Sequence, residues 1–240
     1  MSRWVLITRP QEEARPLAEA LAATGIDLVG YPVLKEVAAD DDQAWEEIAQ
    51  LRRRLAALFV TSPRAPRQFR SAAEQRGLWP ELASLPADAV GTATAEACRQ
   101  VGLTVRRVGG TGGLALAGEV AKSLHPGDVV LHPTGRHHRE EAYTVLAAAG
   151  AEVVPVVVYA MEEGAPDALP LLPETPPLAV LLTSPRAAAA YARGAPRHVL
   201  AAPHFALGET TAEAATRLGL SSQMLLHPDP LLLVEELCRI

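Results

Sequence analysis

Two cysteines in 240 residues, Cys98 and Cys238, leave little room for covalent or metal cross-links. They lie far apart and fit neither a CxxC pair nor zinc-ligand spacing, so free, buried thiols are expected. Lysine is nearly missing, with only Lys35 and Lys122, and the net charge is −6. An acidic chain offers no broad basic face, which argues against a generic nucleic-acid or anionic-membrane surface. No apolar run approaches the ~20 residues a membrane helix needs, and MSRWVLITRPQEE lacks the apolar core of a signal sequence. A cytoplasmic protein, monomeric by default, is expected. The phosphate fingerprints GxGxxG and GxxxxGK[ST] are missing, as are a Ser-His-Asp order and a paired-carboxylate site, so an enzyme here would work by holding and orienting its substrate, and no metal site is expected. Val108-Gly109-Gly110-Thr111-Gly112-Gly113 could cradle an anion by its backbone, but it fits neither fingerprint and reads as a flexible turn. His132, His137 and His138, near Glu140 and Glu141, show no tight ligand spacing and read as a solvated loop.

What the chain has in quantity is apolar residues, 49 %, rich in Ala, Leu and Val. Beneath that composition lies a repeat. Thr61-Ser62-Pro63-Arg64 returns as Thr183-Ser184-Pro185-Arg186. AVGTATAEACRQVGL from Ala89 returns as ALGETTAEAATRLGL from Ala206, and the N-terminal VLITRPQEEARPLAEALAATGIDLVGYPV is echoed more faintly from Val130, with Gly25 matching Gly150. Each unit reads as an apolar run, a break, an amphipathic stretch and another apolar run, which is strand, turn, helix, strand. Continuous apolar runs alternating with helices predict parallel sheets covered on both faces. The fold class is α/β, with two similar parallel-sheet domains of flavodoxin or Rossmann type. Strands are expected at Val5–Ile7, Leu58–Val60, Ala89–Val90, Val129–Leu131, Val153–Val158, Val180–Leu182 and His204–Leu207.

Joints are expected at the polar Ala38-Ala39-Asp40-Asp41-Asp42 and in the Pro-rich 162–177. Cutting there gives one domain from both chain ends, 1–35 plus 163–240, and one from the middle, 39–157. The chain then crosses twice, near 33–38 and 156–163, and the two crossings could pair as a two-stranded linker.

The repeated breaks fall at strand ends, where helix N-termini in such folds receive ligands. Ser62-Pro63 and Ser184-Pro185 each suit an N-cap serine followed by proline at the first helical position, which is also the purely structural explanation. Thr210 to Glu213 reads as a capping box, whereas Thr94 and Thr211, at matched positions, are freer to meet a ligand. Arg9, Arg136 and Arg139 are placed as carboxylate partners, with surface ion pairs as the rival reading.

In order and spacing VLITRP, the two TSPRA strand ends, VGTATAE, PTGRHHREE, the apolar run ending in Tyr159 and ALGETTAEA resemble the uroporphyrinogen-III synthase family over nearly the whole chain. The resemblance implies two α/β domains on a two-stranded linker, each presenting an equivalent helix start to one cleft. It implies cyclisation of hydroxymethylbilane, a linear tetrapyrrole with eight carboxylates, to uroporphyrinogen III with inversion of the last ring and loss of water, without a cofactor. It makes Tyr159 the residue to protonate the departing hydroxyl. Arg9, Ser62, Thr92, Thr94, Arg139, Ser184, Gly208 and Thr211 become the substrate contacts, and hand-over of substrate from the preceding enzyme a further expectation. Family members often carry Thr two residues after this Tyr, where Met161 stands here. The rival classes are a non-catalytic two-lobed anion-binding protein and a phosphate-utilising transferase.

Overall fold

The computed structural model describes residues 3–110, 112–164, 169–224 and 234–235. The chain divides into two compact units, Met1–Lys35 with Glu162–Ile240, and Glu36–Met161. In chain order the elements are β1 (Arg3–Ile7), α1 (Arg15–Ala22), β2 (Ile26–Gly30), β3 (Leu34–Ala38), α2 (Asp42–Leu51), β4 (Leu55–Val60), α3 (Ala65–Gln75), α4 (Trp79–Leu82), β5 (Ala87–Val90), α5 (Gly91–Gln100), β6 (Val105–Gly109), α6 (Gly113–Ala121), β7 (Val129–Gly135), α7 (Glu141–Ala148), β8 (Glu152–Glu163), β9 (Ala179–Leu182), α8 (Pro185–Gly194), α9 (Arg197–Leu200), β10 (His204–Ala206), α10 (Glu209–Arg217) and β11 (Ser222–Met224). All seven expected strands are present. The polar Asp40-Asp41-Asp42 is a helix start: Asp41 caps α2 by accepting from the Ala44 N–H.

The first unit holds a five-stranded parallel sheet in the order β11-β10-β9-β1-β2. The second holds a six-stranded sheet, β3-β8-β7-β4-β5-β6, parallel from β8 to β6. Without β3 the two orders are the same, with β7, β8, β4, β5 and β6 standing where β1, β2, β9, β10 and β11 stand. At the centres of the sheets the pairing registers agree. Val5 pairs with Ala179 and Leu28, as Val130 pairs with Ala57 and Val153. Val180 pairs with His204 as Leu58 pairs with Ala87. Each repeat of the sequence therefore gives its first two strands to one unit and its last three to the other.

Both sheets are covered on two faces, as buried parallel strands require. In the second unit Trp45, Phe69, Leu82 and Cys98 pack on one face, and Phe59, Leu116, Val130 and Leu146 on the other. Cys98 is free and buried, and burial pushes its thiol up to about 11; Cys238 lies outside the described residues. In the first unit Val5, Leu21, Ile26 and Leu181 form one core, and Trp4, Leu6, Leu182 and Tyr191 the other. Gly25 and Gly150 both take left-handed backbone, φ 74° and 83°, just past the ends of α1 and α7, which only glycine adopts without strain.

Candidate active site

In an open α/β sheet the ligand crevice lies beyond the carboxyl ends of the strands, where the strand order reverses. In the second unit that point falls between β4 and β7. A cleft of about 510 Å³ opens there, lined among others by Thr61, Ser62, Gly112, Gly113, Thr134, His138, Arg139 and Tyr159. That volume is typical of small-molecule sites.

Tyr159 reaches the cleft through an irregularity in β8. β7 and β8 stay in step from Val129/Glu152 to Thr134/Val157, and then Gly135 pairs with Tyr159, so Val158 is bulged. Such a bulge re-aims the next side chain. The Arg136 N–H fixes the new register by donating to the Tyr159 carbonyl at 2.9 Å. The ring lies against Gly135, where a Cβ would come within 2.7 Å of Tyr159 Cζ. The phenol donates to Ser62 Oγ at 3.0 Å.

Ser62 is free to accept because it does not cap a helix. α3 begins at Ala65, and Ser62 Oγ takes only a 3.3 Å contact from the Arg64 N–H in the turn before it. The expected N-cap role fails here and holds in the repeat: Ser184 caps α8, accepting from the Ala187 N–H at 3.1 Å with Pro185 as the first helical residue. The turn leaves Arg64 within 3.5 Å of Glu36.

The histidines do not form a solvated loop. β7 runs on to Gly135 with every residue buried, so His132 is a strand residue 1 % exposed. The strand continues through Pro133 because pairing with β4 ends at Leu131, and a missing N–H beyond that point costs no ladder bond on that side. His132 Nδ1 lies 2.6 Å from Tyr143 Oη and Nε2 lies 3.0 Å from Thr61 Oγ1. Burial, and secondarily the neighbouring His138, lowers its pKa to about 3, so the ring is neutral. His138 donates from Nδ1 to the Gly135 carbonyl at 3.0 Å, which fixes its ring at the cleft wall. Of these three histidines only His137 is exposed, together with Arg136, Arg139, Glu140 and Glu141 around it.

The remaining predicted contacts sort by helix start. α5 begins at Gly91 and α10 at Glu209 with Gly208 as its cap, so no capping box forms at Thr210. These starts leave Thr92 exposed and put Thr94 and Thr211 in the interior, 3 % and 4 % exposed, contrary to the expectation that the latter pair is the freer to meet a ligand. Arg9, Ser184 and Gly208 stand at strand ends of the first unit and Thr211 in the first turn of α10, and Ser62, Arg139 and Tyr159 come together in the second. Sequence reasoning missed Thr61, Thr134, Gly112, Gly113 and His138 at the cleft. The Gly-rich turn, read as a flexible turn with an anion cradle as the alternative, delivers the N-terminus of α6, whose free N–H groups favour anions. No group of described His, Cys, Asp and Glu side chains is arranged to hold a metal ion.

A reversal point lined by a tyrosine, hydroxyls, an arginine and a helix N-terminus, in a doubled α/β chain, can be compared with known proteins. Residues 15–226 match the family described as Uroporphyrinogen-III synthase HemD. The chain belongs to the uroporphyrinogen-III synthase family. Among solved structures, uroporphyrinogen-III synthetase from Helicobacter pylori 26695 shares the fold with a TM-score of 0.65 at 16 % identity, covering 99 % of this chain and 100 % of that one. A mutant uroporphyrinogen III synthase from the extremely thermophilic bacterium Thermus thermophilus gives 0.59 at 15 % identity, covering 99 % and 97 %. Comparison with curated proteins finds no match. The family is one of cyclising lyases in haem biosynthesis, and its activity is that of this chain: hydroxymethylbilane is closed to uroporphyrinogen III with loss of water. Among the described residues no helix is long and apolar enough to cross a membrane.

Proposed function

We propose that the family reaction takes place in the cleft of the second unit, with Tyr159 as the proton donor. The observation that carries this reading is the Tyr159 hydroxyl directed at Ser62 Oγ inside a cleft whose wall includes Arg139 and the start of α6. A terminal hydroxymethyl group placed beside Ser62 takes the phenol proton on its hydroxyl, and the C–O bond breaks to release water. The azafulvenium cation that remains is attacked through the substituted carbon of the last ring, and the spiro intermediate fragments and recloses with that ring inverted. The protein's share is to deliver one proton and to hold the chain so that this attack outruns direct closure.

The substrate's carboxylates meet Arg139 and the amide N–H groups at Gly112 and Gly113, local donors that an acidic protein needs for an acidic ligand. Ser62 and Arg139 are thus substrate contacts in the second unit. Thr92 of that unit and Arg9, Ser184 and Gly208 of the first stand at the same kind of strand end. We place the reaction in the cytoplasm, and since hydroxymethylbilane also closes spontaneously to isomer I, direct hand-over from the enzyme that makes it would spare it that loss.

Pure protein incubated with hydroxymethylbilane should give isomer III by chromatography, and isomer I alone would refute an enzyme and favour a mere binding protein. Tyr159→Phe removes one half-buried hydroxyl without opening a cavity. Turnover should fall about 10²- to 10⁴-fold, the usual worth of general acid catalysis, with the thermal midpoint unchanged. Wild-type turnover in that variant would remove Tyr159 from the chemistry.

A further inference from the structure

Behind the cleft wall runs a chain of polar groups, buried at its centre, that the proton transfer above does not use. It begins at Tyr143 on α7, passes through His132 on β7 and ends at Thr61, which lines the cleft at the end of β4. A neutral imidazole has one donor and one acceptor nitrogen, so the two hydroxyls must point in the same sense along the chain. The phenol is the more acidic hydroxyl, hence the better donor, and its contact is the shorter, 2.6 Å against 3.0 Å. The order is therefore Tyr143 O–H to His132 Nδ1, then His132 Nε2–H to Thr61 Oγ1. Thr61 accepts from the ring, and its own proton is turned away from it.

The fold does not need this arrangement. In the matched sheets Leu131 pairs with Leu58 as Leu6 pairs with Val180, which makes Ile7 the counterpart of His132 and Thr183 that of Thr61. Ile7 is 1 % exposed in an apolar core, and Thr183 exchanges hydrogen bonds with Thr8 instead. One unit builds the position from an aliphatic side chain, whereas the other buries a ring whose two nitrogens both require partners.

We propose that His132 is a positioning residue: with Tyr143 behind it, it commits the Thr61 hydroxyl to donate a hydrogen bond to a carboxylate of the linear tetrapyrrole. The inference rests on the reading of this cleft as the substrate site.

The test is steady-state kinetics with hydroxymethylbilane on full-length Thr61→Val, Thr61→Ser, His132→Ile, Tyr143→Phe and the double variant Thr61→Val/His132→Ile. Thr61→Val should raise KM about tenfold, as expected for a lost hydrogen bond to a charged group, with kcat within about twofold. Thr61→Ser should restore the wild-type KM. His132→Ile, which copies Ile7, should raise KM severalfold alone and add nothing to Thr61→Val, because both remove the same bond. Tyr143→Phe keeps the ring packing and should raise KM in the same direction, so it serves if His132→Ile does not fold. A wild-type KM in Tyr143→Phe and in folded His132→Ile, or additive effects in the double variant, overturns the proposal. If Thr61→Val itself leaves KM unchanged, the proposed bond from Thr61 to substrate fails, and the assignment of the cleft fails with it where Tyr159→Phe also keeps wild-type turnover.

Discussion

Gly135 has room for a hydrogen and no more. A Cβ there would meet Tyr159 Cζ at 2.7 Å and Tyr159 Oη at 3.0 Å, and these atoms belong to the outer end of a side chain that can swing. Gly135 therefore holds the placement of the Tyr159 ring more than the fold. At Gly30, by contrast, a Cβ would meet the Gln11 backbone nitrogen at 2.5 Å, which cannot yield as easily. Gly135→Ala should displace the Tyr159 ring, break its bond to Ser62 and lower kcat toward the Tyr159→Phe level, while the thermal midpoint moves little. A crystal structure of the variant checks the ring position. Full turnover with the ring displaced would show that the phenol does not have to lie beside Ser62.

At the scale of elements, the same four residues make two different helix entries. Ser184 Oγ accepts a hydrogen bond from the Ala187 N–H and closes the first turn of α8. Ser62 stands before a turn that delays α3 to Ala65, and its oxygen is engaged by Tyr159. Ser184→Ala should therefore cost about 1 kcal/mol, the usual value of an N-cap, whereas Ser62→Ala should cost clearly less stability and more turnover. Chemical denaturation of both variants beside the kinetic assay decides it; equal losses of stability would mean that the two serines play one role. This divergence explains what was legible in the sequence. The strands were, because apolar runs at Val5, Leu58 or Val180 need no partner to be recognised. The helix starts were not, because Thr-Ser-Pro-Arg encodes a break and the surrounding packing chooses which residue after it is the first helical one. His132 escapes a reading of the sequence for a related reason: Pro-Thr-Gly signals a turn, and only the end of β4 pairing at Leu131 lets β7 run through it. The bulge that aims Tyr159 depends on pairing between two strands and leaves no mark on either alone.

Over the whole molecule, the repeat is exchanged between units rather than laid end to end. Among the described residues the core of the second unit draws on a continuous stretch from Ala44 to Tyr159. The cores of the first unit join residues such as Trp4, Val5 and Ile26 to Val180, Tyr191 and Ala215, so neither end of the chain can bury its apolar face without the other. Trp4 is 1 % exposed and donates to the Thr175 carbonyl at 3.2 Å, a bond between the two ends. Dependence on loop closure of this kind adds only slowly with length, so the long insertion is thermodynamically tolerable. It does impose an order on what can fold alone. A fragment of residues 36–161 should unfold cooperatively by circular dichroism, with the fluorescence of Trp45, stacked on Phe69 at 5.5 Å, as in a buried indole. A chain ending at residue 161 should keep that transition while Trp4 becomes solvated and adds a red-shifted component. Loss of the cooperative transition in both would mean that the middle of the chain needs the ends to hold its fold, and that the boundary at 35/36 and 161/162 does not separate folding units.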